Sequence, residues 1–84
     1  MNFDAIIFQY LETVNRQLQE NKPPEVGLTL RRLMNEGYSE KEARHLIAQC
    51  VAAEMYQVML TDTPYNEARY VQLLQQLPNE PEIK

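Results

Sequence analysis

His45, Cys50 and Glu54 lie within one ten-residue stretch, and the histidine and the cysteine are the only ones in the chain. These residue types ligate metals and serve in nucleophilic catalysis, so their spacing decides what they can do together. The stretch reads as helix, where each residue turns about 100° around the axis. His45 and Cys50, five apart, therefore point about 140° apart, and His45 and Glu54, nine apart, point nearly opposite ways. Zinc holds its ligands at about 2.0 to 2.3 Å, so these three cannot converge on one ion from this helix alone. The chain has no HExxH, no CxxC and no second histidine.

Taken singly, each residue has an ordinary alternative. Cys50 sits in the middle of an apolar stripe and reads as a small buried hydrophobe rather than a nucleophile. His45 lies off that stripe beside Arg44. It reads as a surface or half-buried contact to a neighbouring helix or a second chain, because a lone histidine has no visible orienting partner for catalysis. Glu54 falls within about 20° of the centre of the stripe made by Ala43, Ile47, Cys50 and Val58. A carboxylate there must be paired, hydrogen-bonded or protonated. Arg69, on the edge of the last helix's apolar face, is the nearest partner by pattern, and Arg16 is another. A structural ion pair or an interface contact is favoured over a carboxylate of a polar or metal pocket inside a bundle. No catalytic or cofactor-binding residue is expected. His45 and Glu54 are the residues to test as metal ligands.

Four helices must position these side chains. The first covers about residues 4–20, with Phe3, Ile6, Ile7, Tyr10, Leu11, Val14 and Leu18 on one face and Asn2 or Asp4 as its cap. "NKPP" ends it, since the residue before proline avoids the α region. The second, about 24–36, starts at Pro24 or Glu25 and buries Val26, Leu30, Leu33 and Met34. Gly37 stops it as a left-handed cap. The third, about 40–60, opens on the capping box "SEKE", Ser39 with Glu42. Its stripe is Ala43, Leu46, Ile47, Cys50, Val51 and Val58, with Met55 on one edge. The fourth, about 65–77, is capped by Thr63 or Asn66 and buries Tyr70, Leu73, Leu74 and Leu77. Short connections favour antiparallel neighbours. The expected architecture is an all-α, compact bundle of four amphipathic helices, one domain over residues 1–78 with a mobile tail at 79–84.

Composition narrows the function classes. Eighty-four residues suffice for one small domain, and oligomerisation commonly supplements a core of that size. Two glycines are too few for an all-β fold. The net charge of −4 gives no general attraction to phosphate backbones, so no nucleic acid partner is expected. No signal peptide and no apolar run of transmembrane length is visible. One cysteine cannot form an intrachain disulfide. The expectation is a cytoplasmic protein with no membrane partner and no cofactor.

Phe8, Leu28 and Tyr56 lie off the main stripes of their helices. Together they suggest a second apolar surface, and tyrosine is enriched in interfaces. They are the interface candidates.

"PPEVGLTLRRLMNEGYSEKEARHLI" and "YNEARYVQLLQQLP" resemble a group of small, mostly bacterial helical proteins classed as a domain of unknown function, over roughly residues 10–78. The resemblance implies a compact helical fold and brings no assigned activity. It also implies histidines spaced HxxxH in the first helix, which together with positions 45 and 54 would suggest a metal or polar centre. Here Ile6, Ile7, Tyr10 and Leu11 fill that region, so any such centre has lost most of its ligands. The leading expectation is a non-enzymatic interaction or assembly module, homodimeric by the expected second surface. The alternative is a degenerate metal-binding or hydrolytic bundle centred on Glu54 and His45.

Overall fold

A capping box opens the longest helix. The Ser39 hydroxyl accepts from the backbone N–H of Glu42 at 3.0 Å, and the Glu42 carboxylate accepts from the backbone N–H of Ser39 at 2.9 Å. Two backbone donors that the helix leaves unpaired are thereby satisfied. The hydrogen bond from the Ser39 backbone N–H, and then the nearby Ser39 hydroxyl, hold the Glu42 carboxyl below its usual range.

The computed structural model describes residues 3–81, and side chains from Ile7 onward. It contains four helices: α1 (Phe3–Glu20), α2 (Pro24–Asn35), α3 (Glu40–Thr61) and α4 (Glu67–Gln76). The expected cap at Asn2, the side chains of Phe3, Asp4 and Ile6, and the end of the tail at 82–84 lie outside the described residues.

Local chemistry sets the boundaries. Pro24 occupies the first turn of α2, where its missing N–H costs nothing. At the other end Gly37 adopts φ 107°, its N–H donates to the carbonyl of Met34, and that of Tyr38 donates to the carbonyl of Leu33. This is the Schellman arrangement, and at φ 107° it strongly favours a residue without a Cβ. α3 ends where Asp62 takes a left-handed conformation. Asn66, rather than Thr63, caps α4 by accepting from the N–H of Arg69 at 3.0 Å. α4 therefore starts at Glu67, slightly later than the sequence pattern suggests. At its far end the Arg32 guanidinium donates to the carbonyls of Leu77 at 2.8 Å and Leu74 at 3.1 Å, binding α2 to the negative end of α4.

α3 is the centre of the bundle and touches each of the other three helices. Leu46, Ile47, Ala48, Cys50, Val51, Ala52, Ala53 and Glu54 are all buried. The expected one-sided stripe is thus corrected: through its middle, α3 is buried nearly all round. Ala48, Ala52 and Ala53 flank the stripe and are small enough for neighbouring helices to close over them. Val58, placed on the stripe by pattern, is only half-buried, because it lies near the end of the helix. α2 is also rotated from its expected face. Thr29 is buried and Met34 is 43% exposed, because the direction set by Val26 and Leu33 passes closer to residue 29 than to residue 34.

Ile7 and Val14 of α1, Val26 and Leu33 of α2, and Tyr70, Leu74 and Leu77 at the end of the chain complete the core. Burying each large aliphatic side chain contributes about 1.5–3 kcal/mol.

Candidate functional site

Glu54 is fully buried, and its partner is Arg69. The guanidinium grips it with two bonds, Nε to Oε1 at 2.5 Å and Nη2 to Oε2 at 2.8 Å. The backbone N–H of Asn66 donates to Oε2 at 2.9 Å. This fork-on-carboxylate geometry is the strongest form of side-chain ion pair. Asn66 is therefore used twice, its side chain capping α4 and its backbone binding α3 to the start of that helix.

The pairing fixes what Glu54 can do chemically. The hydrogen bond from Arg69, ahead of the opposing effect of burial, holds the Glu54 carboxyl below its usual range. A general base works best with a pKa near the working pH, and this one is displaced the other way. Glu54 is an ionised structural anchor.

A pocket of about 410 Å³ nevertheless adjoins it. Val51, Glu54 and Met55 of α3 form the floor. Tyr10, Thr13, Arg16 and Gln17 of α1 form one wall, and Lys22 and Pro23 extend it. Tyr65, Glu67 and Tyr70 form the other. Arg16, the other expected partner of Glu54, lines this pocket without bonding to it. Across the gap the Tyr70 hydroxyl donates to Oε1 of Gln17 at 2.8 Å. Burial, first of all, holds the Tyr70 phenol well above its usual range. The rings of Tyr65 and Tyr70 stand 6.2 Å apart at 56° to each other, an aromatic corner. Among the described residues no buried side-chain polar atom lacks a hydrogen-bond partner.

The rest of the opening triplet falls elsewhere. Cys50 is buried in the core, and burial pushes its thiol up to about 12. His45 is half-buried on the opposite side of α1 from the pocket, in a shallow cleft of about 720 Å³ shared with Phe8, Leu11, Asn15, Glu40, Lys41 and Arg44. The structure does not bring His45 and Glu54 together. Among the described residues no three His, Cys, Asp or Glu side chains are grouped so as to hold a metal ion. Phe8 is 69% exposed and Leu28 59%, whereas Tyr56 is half-buried.

Sequence reasoning missed the pocket as a unit. One signal pointed to it: Tyr10, Thr13 and Gln17 recur at three- and four-residue spacing, and Arg16 follows Thr13 by three. This marks a polar and aromatic flank of α1 beside its core face.

Residues 9–76 match the family described as "Domain of unknown function (DUF1841)". The chain belongs to that family. The match covers all of α2, α3 and α4 and most of α1, so the Glu54–Arg69 pair and every residue lining the pocket lie within the DUF1841 region. No curated protein and no solved structure matches the chain. No described helix is long and apolar enough to cross a membrane.

Proposed function

We propose that this DUF1841 protein is a non-enzymatic, cytoplasmic interaction module that pairs with a second copy of itself. The observation that carries the reading is Phe8, a large aromatic left 69% exposed on the edge of the cleft between α1 and the start of α3. Leu11 lies beside it, and Glu40, Lys41 and Arg44 surround it. An apolar centre with a polar rim is the anatomy of a protein interface. The rim also carries both signs of charge. A two-fold pairing sets the same patch against itself, so a mixed-sign rim complements its own copy where a single-sign rim repels it. A standard interface takes about 800 Å² from each partner, roughly a seventh of the chain's surface of 5663 Å². Leu28 offers a second exposed apolar contact on α2. The acidic balance of the chain favours a protein partner over nucleic acid.

Light scattering coupled to size-exclusion chromatography tests the proposal. The expected result is a dimer that Phe8→Glu converts to monomer with an unchanged helical spectrum, since Phe8 contributes little to the core. A wild-type chain that stays monomeric at high concentration, or a dimer indifferent to Phe8→Glu, refutes it.

A further inference from the structure

α1 and α4 both pack on α3, and their backbones stay apart: among the described residues no Cα of one comes within 8 Å of the other, and the Tyr70–Gln17 hydrogen bond spans the space between them. The pocket of about 410 Å³ is the gap this leaves, a size within the range of about 300–1,000 Å³ typical of small-molecule sites. Its floor is already satisfied. Arg69 and the Asn66 N–H occupy both oxygens of Glu54, and Tyr70 is spent on Gln17. Recognition therefore falls to the walls, and the walls differ in sign. Arg16 on α1 and Lys22 just beyond it are positive; Glu67, in the first turn of α4, is negative and has Tyr65 nearby. The ion pairs among the described residues are Arg32–Glu36, Arg44–Glu40 and Arg69–Glu54, which leave these three charges out. The Tyr65 phenol is held above its usual range by burial and then by the charges of Glu67, Glu54 and Glu25, which agrees with a negative wall at that end.

We propose that this pocket binds a small zwitterion with an apolar or aromatic body, a neutral α-amino acid by chemical class. Its carboxylate faces Arg16 and Lys22. Its ammonium faces Glu67 and the exposed ring of Tyr65, whose face attracts cations. Its side chain lies over the half-buried Met55 and against Tyr65, which the buried Tyr70 ring supports from behind. A simple anion satisfies one wall and is repelled by Glu67; a simple cation meets the reverse. The site lies on the opposite side of α1 from the Phe8 cleft, so it stands or falls separately from self-association.

The test is an NMR titration of the full chain with L-phenylalanine, L-tyrosine and L-leucine. 3-Phenylpropionate and phenethylamine serve as single-charge counterparts, and glycine as a zwitterion without a body. The expected result is saturable shifts at the amides of Gln17, Tyr65 and Tyr70 with at least one of the three amino acids. Either single-charge counterpart, and glycine, binds at least about tenfold more weakly. Arg16→Gln and Glu67→Gln each weaken amino-acid binding about tenfold, while their spectra elsewhere stay those of the folded chain. Absence of saturable shifts with all three amino acids overturns the proposal. So does equal binding of a single-charge counterpart. Charge variants that lower the melting temperature without any amino-acid binding also overturn it, and they assign the two walls to an attraction that merely holds the bundle together.

Discussion

Replacing Glu54 with glutamine keeps the shape of the side chain and removes its charge. The carboxylate receives three N–H groups, two from Arg69 and one from Asn66. A glutamine has one acceptor oxygen and one NH₂ group, so in either orientation the NH₂ faces a donor. The better orientation keeps the oxygen toward Nη2 and Asn66 and loses the Nε bond. A hydrogen bond to a charged group contributes about 1.5–3 kcal/mol, and breaking a buried pair outright costs about 3–5 kcal/mol. Two effects reduce the loss here. The variant no longer buries a charge, and Arg69, with its side chain 33% exposed, can turn toward water. The net cost is about 2 kcal/mol, which for a domain of this size lowers the melting temperature by roughly 8–16 °C. Thermal unfolding followed by far-UV circular dichroism reads this directly.

The pH dependence provides a second readout. In the folded chain the Glu54 carboxyl titrates below its ordinary value of 4.5, chiefly through Arg69. The contribution of the pair is therefore complete above that ordinary value and is lost as pH falls through the folded-state value. The gap between wild type and Glu54→Gln shrinks on acidification below about pH 4.5. Glu42 also titrates low, but both proteins contain it and its effect cancels in the difference. Glu54→Leu combined with Arg69→Met recovers part of the lost stability, because an apolar pair replaces a pair whose carboxylate is desolvated, while the Asn66 N–H loses its acceptor. A melting-temperature difference below about 2 °C at neutral pH, or a gap that stays constant on acidification, refutes the assignment of Glu54–Arg69 as the anchor between α3 and α4.

Further expectations follow from the core and the caps. Cys50, buried and with its thiol pushed up to about 12, resists Ellman's reagent at about pH 8 in the folded chain. It reacts fully once guanidinium unfolds the chain. Gly37→Ala destabilises by about 1 kcal/mol, seen as a lower urea midpoint with an unchanged slope, because φ 107° strains any residue with a Cβ although the surrounding space is open. Leu33→Ala, at a fully buried position, costs about 3 kcal/mol in the same urea titration.

The features legible in the sequence are those whose causes are local or compulsory. Ser39 with Glu42, and Gly37 with its two neighbours, satisfy backbone groups within a few residues, so the letters alone imply the geometry. Glu54 was legible for another reason: a carboxylate on an apolar stripe demands a partner, and few arginines border an apolar face. Arg69 does, and it is the partner. Features set by the way helices lean on one another were hidden. Alanine is too weakly apolar to mark a buried face, so Ala48, Ala52 and Ala53 did not announce that α3 is enclosed. Thr29 and Met34 exchange their expected environments through a modest rotation of α2. The gap between α1 and α4 arises because both helices pack their backbones on α3 and meet each other only through long side chains such as Tyr70 and Gln17, and no single residue records that.

The enclosure of α3 also bears on how the protein opens. α1, α2 and α4 each lean on this helix, and Arg32 ties α2 to the end of α4. No neighbour can leave without uncovering part of residues 46–54. Amide hydrogens in that stretch should therefore exchange with solvent only through global unfolding, with protection equal to the full stability of the chain. Such exchange marks the domain as a single cooperative unit.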